Sequence, residues 1–202
     1  MRRSLLLLAL SSCLIAVDAT MAAVPALAGD SIPYPPDCTV PSALVGNLSG
    51  QPVDGGFVVV VRKFGAPIPN AVVQIVFPSA GARPLAVQEA GTSVDCARGT
   101  LSRMADATGT AVFHPRFAGS SGASTIDVLA NGVRLAQVPA RSTDLDGNGA
   151  VDLADFQLFA ANFLRAPGAT ETDYDRSGAT DARDFEIFRR DFIAHPQGSF
   201  CP

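Results

Sequence analysis

Between residues 144 and 155 the chain reads DLDGNGAVDLAD, with oxygen-bearing side chains at Asp144, Asp146, Asn148, Asp152 and Asp155. That spacing suits a hard divalent cation. Calcium takes six to eight oxygen ligands at about 2.3–2.6 Å, and a tight loop supplies them through alternate side chains, one backbone carbonyl and a closing carboxylate. Counted from Asp144, the carbonyl belongs to Ala150 and the closing carboxylate to Asp155, which is expected to be bidentate, while Asp152 is expected to act through water. Gly149 stands where the chain must turn sharply around the ion, a conformation that a Cβ enters only with strain. Val151 is the inward-pointing apolar residue.

Twenty-nine residues later the pattern recurs as DYDRSGATDARD, with Asp173, Asp175, Ser177, the carbonyl of Ala179, Asp181 and Asp184 in the ligand positions and Gly178 at the turn. A single Asp-Gly turn ahead of a helix is adequately explained as a cap, because a carboxylate accepts bonds from orphan amides and favours the positive helix end. Two complete loops in register are read instead as two calcium sites. The sequence after each loop also repeats: Phe156, Phe159 and Phe163 match Phe185, Phe188 and Phe192. Their i, i+3, i+7 spacing gives each segment one apolar helical stripe, and two such stripes bury each other, so these rings are expected in a core. From Asp144 onward eleven acids face five arginines, a balance of −6, whereas the preceding chain carries +2. Cations would therefore help this segment fold as well as occupy it.

An EF-hand has a helix on both sides of its loop. Here GVRLAQVPARST, broken by Pro139, precedes the first loop, and RAPGATET, with Pro167 and Gly168, precedes the second. Two loop-then-helix units, each closing on Asp, resemble the type I dockerin domain over residues 142–196. The resemblance implies two bound calcium ions and docking onto cohesin modules, which often hold enzymes on a scaffold. In that family the tenth and eleventh loop positions contact cohesin and carry polar pairs. This chain has Leu153-Ala154 and Ala182-Arg183 there, and Ala160-Ala161 corresponds to Arg189-Arg190. The two halves are thus not interchangeable at the surface, and the expected partner is a cohesin-like or other envelope protein.

These loops follow a stretch of different character. From 37 to 141, short β-rich runs such as GFVVVVRKF, AVVQIVF, TAVFHPRF and STIDVLA alternate with Gly, Pro and Asn signals, and 106–109 and Asn131-Gly132 read as tight turns. Seven or eight strands with frequent turns suit a two-sheet sandwich. The segments Gly65 to Val73 and Asp106 to Phe113 also resemble paired hairpin motifs of bacterial immunoglobulin-like domains of the invasin or intimin type, which implies a spacer or adhesive module without catalysis. The expected fold is mainly β: an immunoglobulin-like β-sandwich over 29–141, a small α-helical dockerin-like module over 142–196, and a tail at 197–202.

Residues 1–28 read as a secretory signal peptide, because Arg2 and Arg3 precede an apolar run that ends in the small residues ALA. LSSC, ending at Cys13, offers a lipobox alternative. No later stretch is apolar and long enough to span a bilayer. Export to the cell surface, periplasm or medium fits the three of the four cysteines that remain after cleavage, widely spaced and with no C-x-x-C pattern; the preferred disulfide is Cys38 with Cys96, leaving Cys201 free or bonded elsewhere. The chain has no G-x-S-x-G elbow, H-E-x-x-H motif or phosphate-cradling glycine loop, and His114 and His195 are its only histidines, so a non-enzyme is expected. Arg62, Lys63, Arg83, Arg98 and Arg103 are scattered and the pI is near 5.0, which leaves no footprint for nucleic acid.

Overall fold

The computed structural model describes residues 31–78, 81–119, 125–163 and 171–201. Residues 1–28, expected to be a signal peptide, with Cys13, and the expected Pro167-Gly168 break lie outside these residues.

Alternating apolar positions mark the longer strands, and most of their buried members belong to one cluster. Strands β1 (Leu44–Gly46), β2 (Phe57–Val60), β3 (Arg62–Lys63), β4 (Ala66–Pro67) and β5 (Val72–Val76) come first. Then follow β6 (Arg83–Pro84), β7 (Ser93–Asp95), β8 (Thr100–Met104), β9 (Thr110–Phe113), β10 (Phe117–Ala118), β11 (Thr125–Ala130) and β12 (Val133–Ser142). Six of them form a sheet in the order β1-β12-β11-β5-β8-β7, beside the two-stranded pairs β10-β6, β2-β9 and β3-β4. The fold is therefore mainly β, built on a curled sheet, with two helices after it.

Strand pairing follows the turn chemistry. Asn131 and Gly132 both have positive φ, 47° and 80°, which closes the β11–β12 hairpin in the direction that matches strand twist. Between β8 and β9, Asp106 turns the chain by accepting the Thr108 and Thr110 amides at 2.8 and 3.0 Å. Strand β1 pairs parallel with the far end of β12, Leu44 opposite Ala140. Val59, Phe113, Ile75, Leu101, Ile126 and Val128 belong to one buried cluster, so the β2–β9 ribbon and the large sheet share their core.

Helix α1 (Leu153–Phe163) and helix α2 (Ala182–Ala194) follow the two loops. Phe159 and Phe188 are fully buried and stack with ring centroids 4.9 Å apart, while Phe156, Phe185 and Phe192 are partly buried around them. Phe163 departs from the expected stripe and is 42% exposed. The aromatic core does not belong to the helices alone: Ala43, Val45, Leu48, Val53 and Leu85 from the β part join Phe159, Tyr174 and Phe188 in a single cluster.

The disulfide corrects the sequence expectation. Cys96 bonds to Cys201, not to Cys38, because residues 197–201 run back past Leu85 and bring the Cys201 Cα to 5.0 Å from that of Cys96. Cys38 remains a thiol, half-buried beside the Tyr34 and Arg62 carbonyls at 3.4 and 3.5 Å.

Candidate metal centre

Each loop gathers three carboxylates. Ligand-capable oxygens of Asp144, Asp146 and Asp155 lie within 4.8 Å of one another, as do those of Asp173, Asp175 and Asp184. The loop backbone wraps the first and last acids of each set. Asp144 accepts the Gly147 and Gly149 amides at 2.7 and 2.8 Å, and Asp155 accepts those of Leu145 and Asp152 at 2.7 and 2.9 Å. In the second loop Asp173 accepts the Ser177 and Gly178 amides at 2.9 and 3.0 Å, and Asp184 accepts those of Tyr174 and Asp181 at 2.6 and 2.8 Å. Equivalent acids thus do equivalent work. The reversing glycines also match, with φ of 92° at Gly149 and 94° at Gly178.

Other sequence-assigned ligands divide. Asn148 lies at the rim of the first triad, its Nδ2 donating to Asp146 at 3.1 Å while its Oδ1 accepts the Ala150 amide at 2.8 Å. Ser177 Oγ donates to the Ala179 carbonyl at 3.2 Å, tying together two positions expected to face an ion. Asp152 and Asp181 stand outside the triads and act at helix starts: Asp152 accepts the Ala154 amide at 2.8 Å, and Asp181 caps α2 in a capping box with Asp184.

The electrostatics favour a cation. Burial raises the Asp144 carboxyl to about 6 against the loop amides that lower it, with repulsion from Asp155 and Asp146 adding to the rise. Burial likewise raises Asp155 and Asp184. Close-set carboxylates resist ionising together, and a divalent ion relieves both the repulsion and the burial cost. An all-oxygen set of hard donors suits a hard cation better than a soft metal.

Sequence reading missed the side chains that distinguish the loops. Arg141, at the end of β12, reaches the second loop, where its Nη1 lies 3.2 Å from the Asp173 carboxylate and also donates to the Asp173 carbonyl, while its buried Nε has no partner among the described residues. Arg183 Nε stands 3.4 Å from Asp175. Tyr174 is buried and donates to the Ser142 carbonyl at 3.2 Å, and Asp191 of α2 accepts the Thr143 and Ser49 hydroxyls at 2.7 and 2.8 Å. The Arg141, Tyr174 and Asp191 contacts join a loop or helix to the β part across long sequence distance, so no local spacing signals them.

The histidines lie apart from the triads. His114 Nδ1 is 2.8 Å from Glu89, which also accepts the His114 amide at 2.8 Å and Arg103 Nη1 at 2.8 Å. Burial raises the Glu89 carboxyl, but the hydrogen bonds from His114 outweigh it and leave Glu89 below its usual range. His195 ends α2 in the left-handed region. None of the described helices is long and apolar enough to cross a membrane. Compared with known protein families, curated proteins and solved structures, the chain matches none.

Proposed function

We propose that this is an exported, non-catalytic protein whose dockerin-like C-terminal module binds two calcium ions, and that the ions staple this module to an immunoglobulin-like β-sandwich. The observation that carries the reading is the pair of acidic triads, built in register on two loops whose helices share an aromatic core with the β part. Asp144, Asp146 and Asp155 would hold one ion and Asp173, Asp175 and Asp184 the other, with Asn148, Ser177 and the Ala150 and Ala179 carbonyls completing the shells. The ion supplies charge compensation; the chain supplies the oxygen cage and the packed helices behind it. Calcium is abundant outside cells, where modest affinity suffices.

Isothermal titration of the full chain is expected to give two calcium ions per molecule and a rise in melting temperature by mass action. An Asp155→Ala/Asp184→Ala double variant that still bound two ions with unchanged affinity would sink the assignment.

Calcium-dependent docking onto an envelope or secreted partner is the second reading, favoured by one observation: Leu153 and Ile193 on the two helices are each 61% exposed. Large apolar side chains at such exposure suit a contact surface when they lie close together. A pull-down from envelope fractions, eluted with chelator, tests it; a specific band retained in calcium and absent with the double variant supports docking. The absence of any band, with calcium still raising the melting temperature, leaves the stapling role alone.

A further inference from the structure

The two loops are alike in ligands and unlike in what holds them. Residues 197–201 form a strand-like strap laid between the first loop and the chain that follows β6. Gln197 pairs with Ala150, and the Gly198 amide donates to the Gly149 carbonyl at 3.0 Å. On the strap's other side the Ala86 amide donates to the Ser199 carbonyl at 2.9 Å, and Phe200 pairs with Leu85 and lies under the Arg83 guanidinium, 4.2 Å from ring centroid to Cζ. Cys201 then ends the strap in a disulfide to Cys96, 105 residues away in sequence.

Close approach on both sides depends on glycine. A Cβ on Gly198 would lie 2.4 Å from Leu85, and one on Gly149 would lie 3.0 Å from the Phe200 ring. At the matching turn of the second loop, a Cβ on Gly178 would meet nothing within 4 Å. Gly149 therefore serves the loop's reversal and the seating of the strap.

Resting on the calcium reading above, we infer that the strap is a positioning element for the first site, holding the Gly149-Ala150 backbone so that the Ala150 carbonyl is presented to the ion. The strap's bond uses the Gly149 carbonyl, which leaves the neighbouring carbonyl of Ala150 for coordination. The Cys96–Cys201 disulfide keeps the strap in place. Ligands ordered before the ion arrives lose less freedom on binding, so the first loop fills at lower calcium than the second. Among the described residues no strand-like segment pairs with the second loop, which carries the Arg141 charge beside Asp173. Opening the disulfide would then weaken one site selectively.

The test is calcium titration of the oxidised full chain by calorimetry in two backgrounds, Asp184→Ala to isolate the first loop and Asp155→Ala to isolate the second. Each background is compared with the same chain carrying Cys96→Ser/Cys201→Ser, and separately with Phe200→Ala, which keeps the disulfide and removes the ring against Gly149. In either strap variant the first loop is expected to lose about tenfold or more in affinity, as an ordering effect of one or two backbone units implies, while the second loop stays within about twofold. Unchanged first-loop affinity, or equal weakening of both loops, overturns the positioning role. If neither loop of the unaltered strap takes up calcium, the metal reading itself fails, and the backgrounds show this before any strap variant is compared.

Discussion

Asp191 shows how one buried carboxylate can tie a helix to a sheet. Its side chain is 1% exposed and accepts hydroxyls from Thr143 and Ser49, so it bridges α2, the first loop's approach and the segment after β1. Burial raises its carboxyl above the ordinary range, opposed by those two hydroxyls and by the charge of Arg190. An acid with a raised folded-state value holds its proton longer in the native protein than in the unfolded chain. Its contribution to stability is therefore full while both states are protonated and is lost as pH climbs from the ordinary carboxylate range through the raised value. An amide at this position does not titrate. With calcium kept saturating, the melting temperature of wild type relative to Asp191→Asn is expected to fall as pH rises from 4.5 to 7.5; a constant gap would mean that the carboxylate ionises without penalty. Asp191→Ala, which strands two hydroxyls, is expected to cost about 1–3 kcal/mol in denaturant unfolding.

At the scale of elements, the helices obey their local pattern only in part. Phe159 and Phe188 stack at the centre of the shared core because the 3.6-residue period turns both toward the same seam. Phe163 has the same spacing and remains 42% exposed, since periodicity gives a direction and not the depth of the surface that meets it. Phe159→Ala is accordingly expected to destabilise by about 3–5 kcal/mol and Phe163→Ala by under about 1 kcal/mol, read from chemical denaturation midpoints. Asp181→Ala, which removes the α2 cap, is expected to cost about 1 kcal/mol in calcium-saturated protein. The same contrast separates what could be read in the sequence from what could not. Loop spacing, the helix stripes and the Asn131-Gly132 turn are local chemistry, and the strands β2, β5, β9 and β11 fall within the runs that announced them, whereas β12 runs on through Pro139, expected to break it, to Ser142. Strand β1 is three buried residues whose partner lies at the far end of β12, so neither alternation nor a turn marks it. Arg141, Asp191 and the strap act across similar distances. With three cysteines and no spacing motif, only the path of residues 197–201 selects Cys96–Cys201.

For the whole molecule, the decisive question is whether the loops and helices melt as a separate body. Modules joined by a linker unfold independently, whereas elements sharing a core lose its burial energy together. Here the division is bridged three ways. Leu48, Val53 and Leu85 pack in the same cluster as Phe159, Tyr174 and Phe188; Arg176 and Arg183 reach Asp54 at 3.0 and 3.4 Å; and the disulfide fastens residue 201 to residue 96. The exposed Arg183–Asp54 pair contributes little, as surface pairs generally do. The apolar cluster contributes most, because each large side chain fully withdrawn from water is worth about 1.5–3 kcal/mol and six such groups cannot be lost from one side alone. Differential scanning calorimetry of the oxidised protein in calcium is therefore expected to show one transition whose calorimetric and van't Hoff enthalpies agree. On the proposed calcium reading, chelator should lower the temperature of that single transition, since an ion that binds only the folded loops shares its binding energy with everything packed behind them. Two resolved transitions, with only the lower one sensitive to chelator, would show instead that the module folds by itself and that the shared cluster does not couple it to the sheet.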